Sequence, residues 1–307
     1  MDLECTIAAA NGIKYWAFDS YQASSGNAGH NDSLSTAWNM YQASPNNNLV
    51  KWCWIMGGSM LGAPTWSDNS WQPYMTTLAQ QMAQSNYMTV LSGRPLLYVI
   101  WDDSYVTSWF QGSNANFATT LTYLRTQCSN QGIGNPYIVL ISLGVSTTTI
   151  SSRRATVGAD AISQYAPIMF SEYTGSLPNA WSLADTRIQA QWAAMVATGS
   201  PVIPCAMTGW DKRPRIDHPD VVGGTVAPPF IGHNLYYVTP TNTEVANHMQ
   251  ALVNYVNANP SACPSGAALI YSWNECSEGG NGLIPTLGRP PSNNTTSLLS
   301  AIAPVIS

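Results

Sequence analysis

The stretch YSWNECSEGG, residues 271–280, releases two glutamates three residues apart, Glu275 and Glu278, from an aromatic, apolar run into glycine. Two carboxylates held this close repel, so one pKa is pushed above the other, and a protonated acid can stand beside an ionised base near neutral pH. Cleavage of a glycosidic bond needs that division of labour. The same spacing also suits a turn that Glu275 caps while Glu278 is solvated, so position must decide. Other apolar runs end in similar chemistry: Asp19-Ser20-Tyr21 after 13–18, Asp102-Asp103 after 96–101, Glu172-Tyr173 within PIMFSEY, Thr208-Gly209-Trp210-Asp211 after 201–207, and Trp273-Asn274 beside the glutamates. Carboxylates for acid/base work, with flat aromatic faces for stacking on sugar rings, point to a carbohydrate site. Asp19 reads as an acceptor for a sugar hydroxyl. Of Asp102 and Asp103, one reads as such an acceptor and the other as a cap, in preference to a metal site. Trp210 and Asp211 read either as the wall of a subsite or as a structural turn.

These residues need a scaffold that brings strand ends together. Strand-like runs apolar on both faces occur at 13–18, 49–56, 96–101, 136–142, about 159–165, 201–207 and 267–273, as in a parallel sheet covered on both sides. Helix-like stretches lie between them at 33–43, 71–87, 114–130, 146–155, 181–197 and 243–258, and the chain opens on another, MDLECTIAAAN. Repeated β-then-α order predicts a TIM-type (β/α)₈ barrel, whose site sits at the C-terminal ends of the strands. The count reaches seven strands, so the first barrel strand is expected to be missing from this chain. A dimer or an extra segment covering that position is the corollary, because an open seam exposes strand edges. An open doubly wound sheet is the competing architecture. It is disfavoured because no glycine-rich phosphate loop follows any strand. No linker-like stretch divides the 307 residues, which are read as a single catalytic domain with one long loop at 208–240.

Composition narrows the partners. Charged residues make up only 9%, against a usual share of about a quarter. A net charge of −5 with no basic stripe gives no footprint for nucleic acid. No 18-residue apolar run predicts a membrane span. Arg153-Arg154 reads as a solvated helix face, and His248 as a surface residue of its helix. Twelve Trp and fifteen Tyr against five Phe favour rings with a polar tip, some for packing and some for sugar stacking. None of the six cysteines forms a C-x-x-C or has zinc spacing, so neither metal nor cofactor is expected. Several of them could pair as disulfides. The low-lysine, Asn/Thr-rich surface leans towards an exported protein whose signal peptide is not in this chain.

The segment SWNECSEGGNGLIPT resembles the S-[WF]-N-E-W-x-E-G-x-x-[IL]-x-P-[TD] signature of glycoside hydrolase family 99 and the related WbsX-like proteins. NGIKYWAFDSY, GRPLLYVIWDD and TGWDKRPR are similar to further motifs of those proteins, in the same order, from residue 1 to about 290. The resemblance implies a (β/α)₈ barrel that acts on glycans, with a strand ahead of the opening helix. It implies Glu275 as the base on a sugar 2-hydroxyl and Glu278 as the acid/base at the glycosidic oxygen, in a retaining route through a 1,2-anhydro sugar. The sequence departs from the pattern at Cys276, where an aromatic is usual, and at Ser277, where family 99 often has His, so mannan specificity does not carry over. The expectation is a glycosidase with catalytic Glu275 and Glu278 and substrate contacts from Asp19, Tyr21, Asp102, Glu172, Trp210, Asp211, Trp273 and Asn274. The alternatives are a WbsX-like glycosyl-transferring enzyme and a non-catalytic glycan-binding barrel.

Overall fold

Seven apolar strand positions, each but the last followed by a helix that leads to the next, wind into one parallel wall. The computed structural model describes residues 1–21, 28–63, 65–168, 178–211, 236–275, 282–283 and 296–307, with backbone alone for 28–34. Strands β1 (Tyr15–Ser20), β2 (Lys51–Gly57), β4 (Arg94–Trp101), β5 (Tyr137–Ser142) and β6 (Ala161–Gln164) pair in that order, all parallel. The short β3 (Thr89–Val90) forms an antiparallel hairpin with β4 outside the wall. Past β6 the wall continues through 201–203. Ile162 bridges Val202, and Ile203 N donates to Ile162 O at 3.0 Å. β7 (Cys205–Met207) then pairs in parallel with β8 (Leu269–Tyr271). Outside lie α1 (Asp2–Ala10), α2 (Ala28–Ala43), α3 (Gln72–Met82), α5 (Asn114–Asn130), α6 (Thr147–Val157), α7 (Trp181–Ala197), α8 (Asn242–Ala258) and α9 (Ser297–Ile306), and the short α4 (Asp103–Trp109) sits on the rim. The fold is an α/β barrel of TIM type. Among the described residues no strand lies between β8 and β1.

Local chemistry starts these helices where the sequence places polar caps. Ser113 accepts from Asn116 N and Ser146 from Thr149 N. Thr241 and Glu244 form a reciprocal capping box on α8, satisfying donors that a helix start leaves orphaned. Strand alternation then divides the apolar residues. Trp52 and Trp54 of β2 face outward onto Trp38 of α2, at ring separations of 5.5 and 5.2 Å. Tyr15 of β1 faces the lumen, where its hydroxyl meets that of Tyr98 at 2.9 Å and donates to Ala268 O at 3.0 Å. Trp52, Trp101 and Trp192 have at most 1% of their surface exposed, so much of the aromatic excess is core.

The N-terminal end of the barrel is tied by charge. Asp160, just before β6, takes Arg94 Nη2 at 2.6 Å, Arg125 Nη2 at 2.9 Å and the Ile138 N–H at 3.0 Å. Burial works to raise its pKa, yet these hydrogen bonds outweigh burial and hold it below the usual carboxylate range. Several sequence expectations are corrected. Arg153 is only partly solvated: it pairs with Asp103 at 3.3 Å and lies over the Trp101 ring. Arg154 donates to Ser200 Oγ at 3.1 Å. His248 is 1% exposed. Its Nδ1 meets Asp185 at 2.6 Å, its Nε2 accepts from Met207 N at 3.3 Å, and its ring stacks on Trp192. Because Nε2 accepts, the proton sits on Nδ1 and points at the carboxylate. Cys5, Cys53, Cys128, Cys205 and Cys263 are buried free thiols, each enclosed by core neighbours instead of another sulfur at bonding distance. Cys276 lies outside the described residues.

Candidate functional site

The parallel wall gathers its strand ends on one rim, and two of the expected carboxylates meet there. Asp19 is the fifth residue of β1, and alternation from Tyr15 through Ala17 turns it into the lumen. Glu275 follows β8 on a turn in which its N–H donates to Ser272 Oγ at 3.2 Å. The chain comes back beside the same residue, where Leu283 N donates to Ser272 O at 3.1 Å. Glu278 falls between these two anchor points and lies outside the described residues, as does Glu172. Thr208 N donates to Tyr271 O at 3.0 Å, locking the end of β7 to the end of β8.

A cavity of about 940 Å³ runs along β1 and β8, from Lys14, Leu91 and Ala267 at the N-terminal end of the barrel to this rim, where Asp19, Gln164, Tyr165, Trp273, Asn274 and Glu275 stand in its wall. The Asp19 carboxylate keeps part of its surface open to the cavity but lies deep among barrel atoms. Burial pushes its pKa up to about 7 from the ordinary 3.8. Hydrogen bonds from the Tyr21 hydroxyl and the Ser20 N–H pull the other way, and the charge of Glu275 adds to the rise. Tyr21 in turn is pushed upward by burial and by the charge of Asp19, with Tyr165 and Tyr105 in electrostatic reach. Gly57 makes room for this arrangement: a Cβ there would stand 3.1 Å from Tyr21 Cδ1, tighter than a side chain tolerates without movement. The rim therefore holds a carboxyl poised near neutrality, with a second carboxylate and several phenols in electrostatic reach.

The other expected site residues are placed as follows. Trp273 packs against Trp16 with ring centroids 5.1 Å apart and stays half-buried, and Asn274 is exposed in the cavity wall. Tyr21 donates its hydroxyl to Asp19 and is not among the residues of the cavity wall. Asp102 caps α4, accepting from Ser104 N at 2.7 Å, so it is the capping member of its pair. Asp103 accepts from the Trp101 indole at 3.0 Å. Trp210 is 0% exposed and packs beside Tyr271, which corrects the subsite reading: no face of its ring is left for a sugar. Asp211 bridges Tyr236, closing the base of the loop 212–235. That loop, with Arg213, Arg215, His218 and His233, lies outside the described residues. Sequence reading missed Tyr105 and Tyr165 as rim residues. Tyr165 carried the same signal as Asp19, a polar tip at the end of an apolar run.

Among the described residues no helix is long and apolar enough to cross a membrane, and no group of acids, histidines and cysteines forms a metal centre. No protein-family profile and no curated protein matches the chain. Solved structures do resemble it. The family 5 xyloglucanase from Paenibacillus pabuli aligns over 100% of this chain and 90% of its own, at 12% identity and a TM-score of 0.49. A GH18 chitinase from the chitin utilization locus of Flavobacterium johnsoniae aligns over 90% and 79%, at 12% identity and 0.44. A trimodular GH5_4 subfamily endoglucanase aligns over 92% of this chain and 53% of its own, at 10% identity and 0.45.

Proposed function

We propose that the protein is a glycoside hydrolase acting on a poly- or oligosaccharide at the C-terminal mouth of the barrel. The observation that carries this reading is the pairing of Asp19 and Glu275 across one cavity, with Asp19 raised to about 7. Cleavage of an acetal needs a proton donor and an ionised partner at the same pH, and the raised Asp19 supplies a carboxyl that holds a proton near neutrality. In this reading Glu275 is the base, Glu278 delivers the proton to the leaving oxygen with retention at the anomeric carbon, and Asp19 binds a sugar hydroxyl. The E-x-x-E order supports the first two roles, and the lumen position of Asp19 supports the third. A second reading follows from the same carboxyl: Asp19, half-protonated near pH 7, is itself the donor.

Purified protein offered a polysaccharide panel, with reducing-end and product-mass readout, tests the proposal. Reducing ends support hydrolysis, longer chains support the glycosyl-transferring alternative, and binding without turnover supports the binding barrel. Glu278→Gln and Asp19→Asn separate the two donors. The variant that lost the acid is rescued on an aryl glycoside with an activated leaving group, which needs little protonation.

A further inference from the structure

The end of β2 and the turn after it carry three buried glycines, Gly57, Gly58 and Gly62. Each faces a neighbour that leaves no room for a side chain. A Cβ on Gly62 would stand 2.5 Å from Trp109 O, and Ala63 N donates to that same oxygen at 3.0 Å. A Cβ on Gly58 would stand 3.0 Å from Ile100 O and 3.2 Å from Tyr105 Cδ2. The short helix α4 therefore lies directly on this turn, with Gly58 under its start and Gly62 under its end. Its first turn is fixed a second time. Asp102 accepts from Ser104 N, and Asp103 accepts from the Trp101 indole and pairs with Arg153. Tyr105 is the third residue of this helix.

Two phenols thus sit on consecutive glycines, whose Cα atoms are about 3.8 Å apart: Tyr21 on Gly57 and Tyr105 on Gly58. They arrive from neighbouring strands on either side, Tyr21 from the end of β1 and Tyr105 from beyond β4. They differ in what their hydroxyls do. Tyr21 gives its hydroxyl to Asp19. Among the described residues the Tyr105 hydroxyl has no hydrogen-bond partner; burial and the charges of Asp102 and Asp19 act on it instead. The residue is half-buried, and its oxygen is not among the buried unpartnered atoms, so the ring is covered while the tip is open. Burial first, and then the two carboxylates, raise its pKa. The group therefore stays a neutral phenol that can both donate and accept. A ring held this closely has lost its conformational freedom on folding, and a ligand that meets its hydroxyl need not order it.

We propose that Tyr105 is a substrate-binding residue of the mouth, whose free hydroxyl takes a ring hydroxyl of the sugar seated against Asp19. The inference rests on the glycan reading and deepens it, because it extends the site from β1 past Gly57 and Gly58 to α4. The carboxyl and the phenol divide the contact by chemistry. Ionised Asp19 can only accept, whereas Tyr105 can also donate to an oxygen that has no proton to offer. The three glycines are then part of the site, since they bring α4 close enough for its third residue to reach the ligand.

Tyr105→Phe removes the hydroxyl and keeps the ring on Gly58. Parent and variant are offered cello-, xylo-, manno- and chito-oligosaccharides. Initial rates are measured where bonds are cleaved, titration calorimetry where the sugar is only bound, and thermal melts on both proteins. On a sugar that the parent takes, KM or Kd should rise about three- to tenfold, with kcat within about twofold. The pH profile and melting temperature should not move, because the bond lost is to the ligand and not within the protein. Unchanged KM and Kd on such a sugar would overturn this inference and leave the glycan reading standing. A parent that neither cleaves nor binds any of these sugars would overturn both. A fall in kcat with a displaced pH profile would overturn the inference too, since Tyr105 would then act through Asp19. So would a melting temperature lowered by several degrees, which would assign the hydroxyl to the fold.

Discussion

Asp19→Asn isolates the charge that defines the rim, since asparagine keeps the shape and still accepts from Tyr21. The carboxyl rises from 3.8 to about 7, first because it is buried and then because Glu275 is near. Between about pH 4 and pH 7 the folded state therefore holds a proton that the unfolded chain has released. By linkage, stability falls as pH climbs through that window: the penalty is absent below it and complete above it. At about 1.4 kcal/mol per pH unit the full rise would cost about 4 kcal/mol. Asp19 keeps a face partly exposed to solvent, and screening there brings the expected cost to about 1–2 kcal/mol. Asparagine removes that cost, so the variant should melt about 2–4 °C above the parent at pH 8 and level with it at pH 4. Thermal melts from pH 4 to pH 9 on both proteins provide the measurement. Activity should move the opposite way at neutral pH, as expected where a site stores unfavourable electrostatics for function. Melting curves that stay parallel across the whole range would refute the raised pKa, and with it the donor role proposed for Asp19.

Glu278→Gln should lower turnover of a natural glycan by about 10²–10⁴-fold and recover on an aryl glycoside, whereas Glu275→Gln should stay slow on both; initial rates on the two substrates check this. His248→Ala removes a buried ring stacked on Trp192 and strands Asp185, and should cost about 2–5 kcal/mol in urea unfolding. The hydrogen bond from His248 lowers the pKa of Asp185, so that carboxylate stabilises the fold above about pH 4, and the contribution fades as pH falls through its lowered value. Asp185→Asn should therefore flatten the acid limb of the stability profile. A thiol reagent should find Cys5, Cys53, Cys128, Cys205 and Cys263 silent in the native protein and reactive after denaturation without reductant, read as absorbance released before and after guanidinium.

The barrel was legible because a covered parallel strand has no polar face to hide its period. The run at 136–142 fixes β5 to within one residue, and the runs at 13–18 and 267–273 cover most of β1 and all of β8. What escaped was set by backbone conformation or by direction. The hairpin of β3 and β4 turns through Leu91, Ser92 and Gly93, all at positive φ, and only the last is a residue that advertises such a turn. Helix α9 carries Pro304 inside it, which reads as a breaker although it falls in the last turns. His248 was misread by residue type, yet it lies in register with Val245, Leu252 and Val256, the buried stripe of α8; its burial was written in the spacing. Trp210 shows the opposite limit. An aromatic just past a strand end looks the same whether its ring faces the mouth or folds beneath it, and only the packing against Tyr271 decides. Asp19 differs because strand alternation leaves it no choice of side: once Tyr15 is in the lumen, Ala17 and Asp19 follow. Both residues followed apolar runs in the sequence; β1 extends through Ser20 and so fixes the side of Asp19, whereas β7 ends at Met207 and leaves Trp210 beyond its alternation. Candidate catalytic groups on strands are for the same reason the firmest part of the site, because the wall that fixes their direction also supplies the burial that shifts their chemistry.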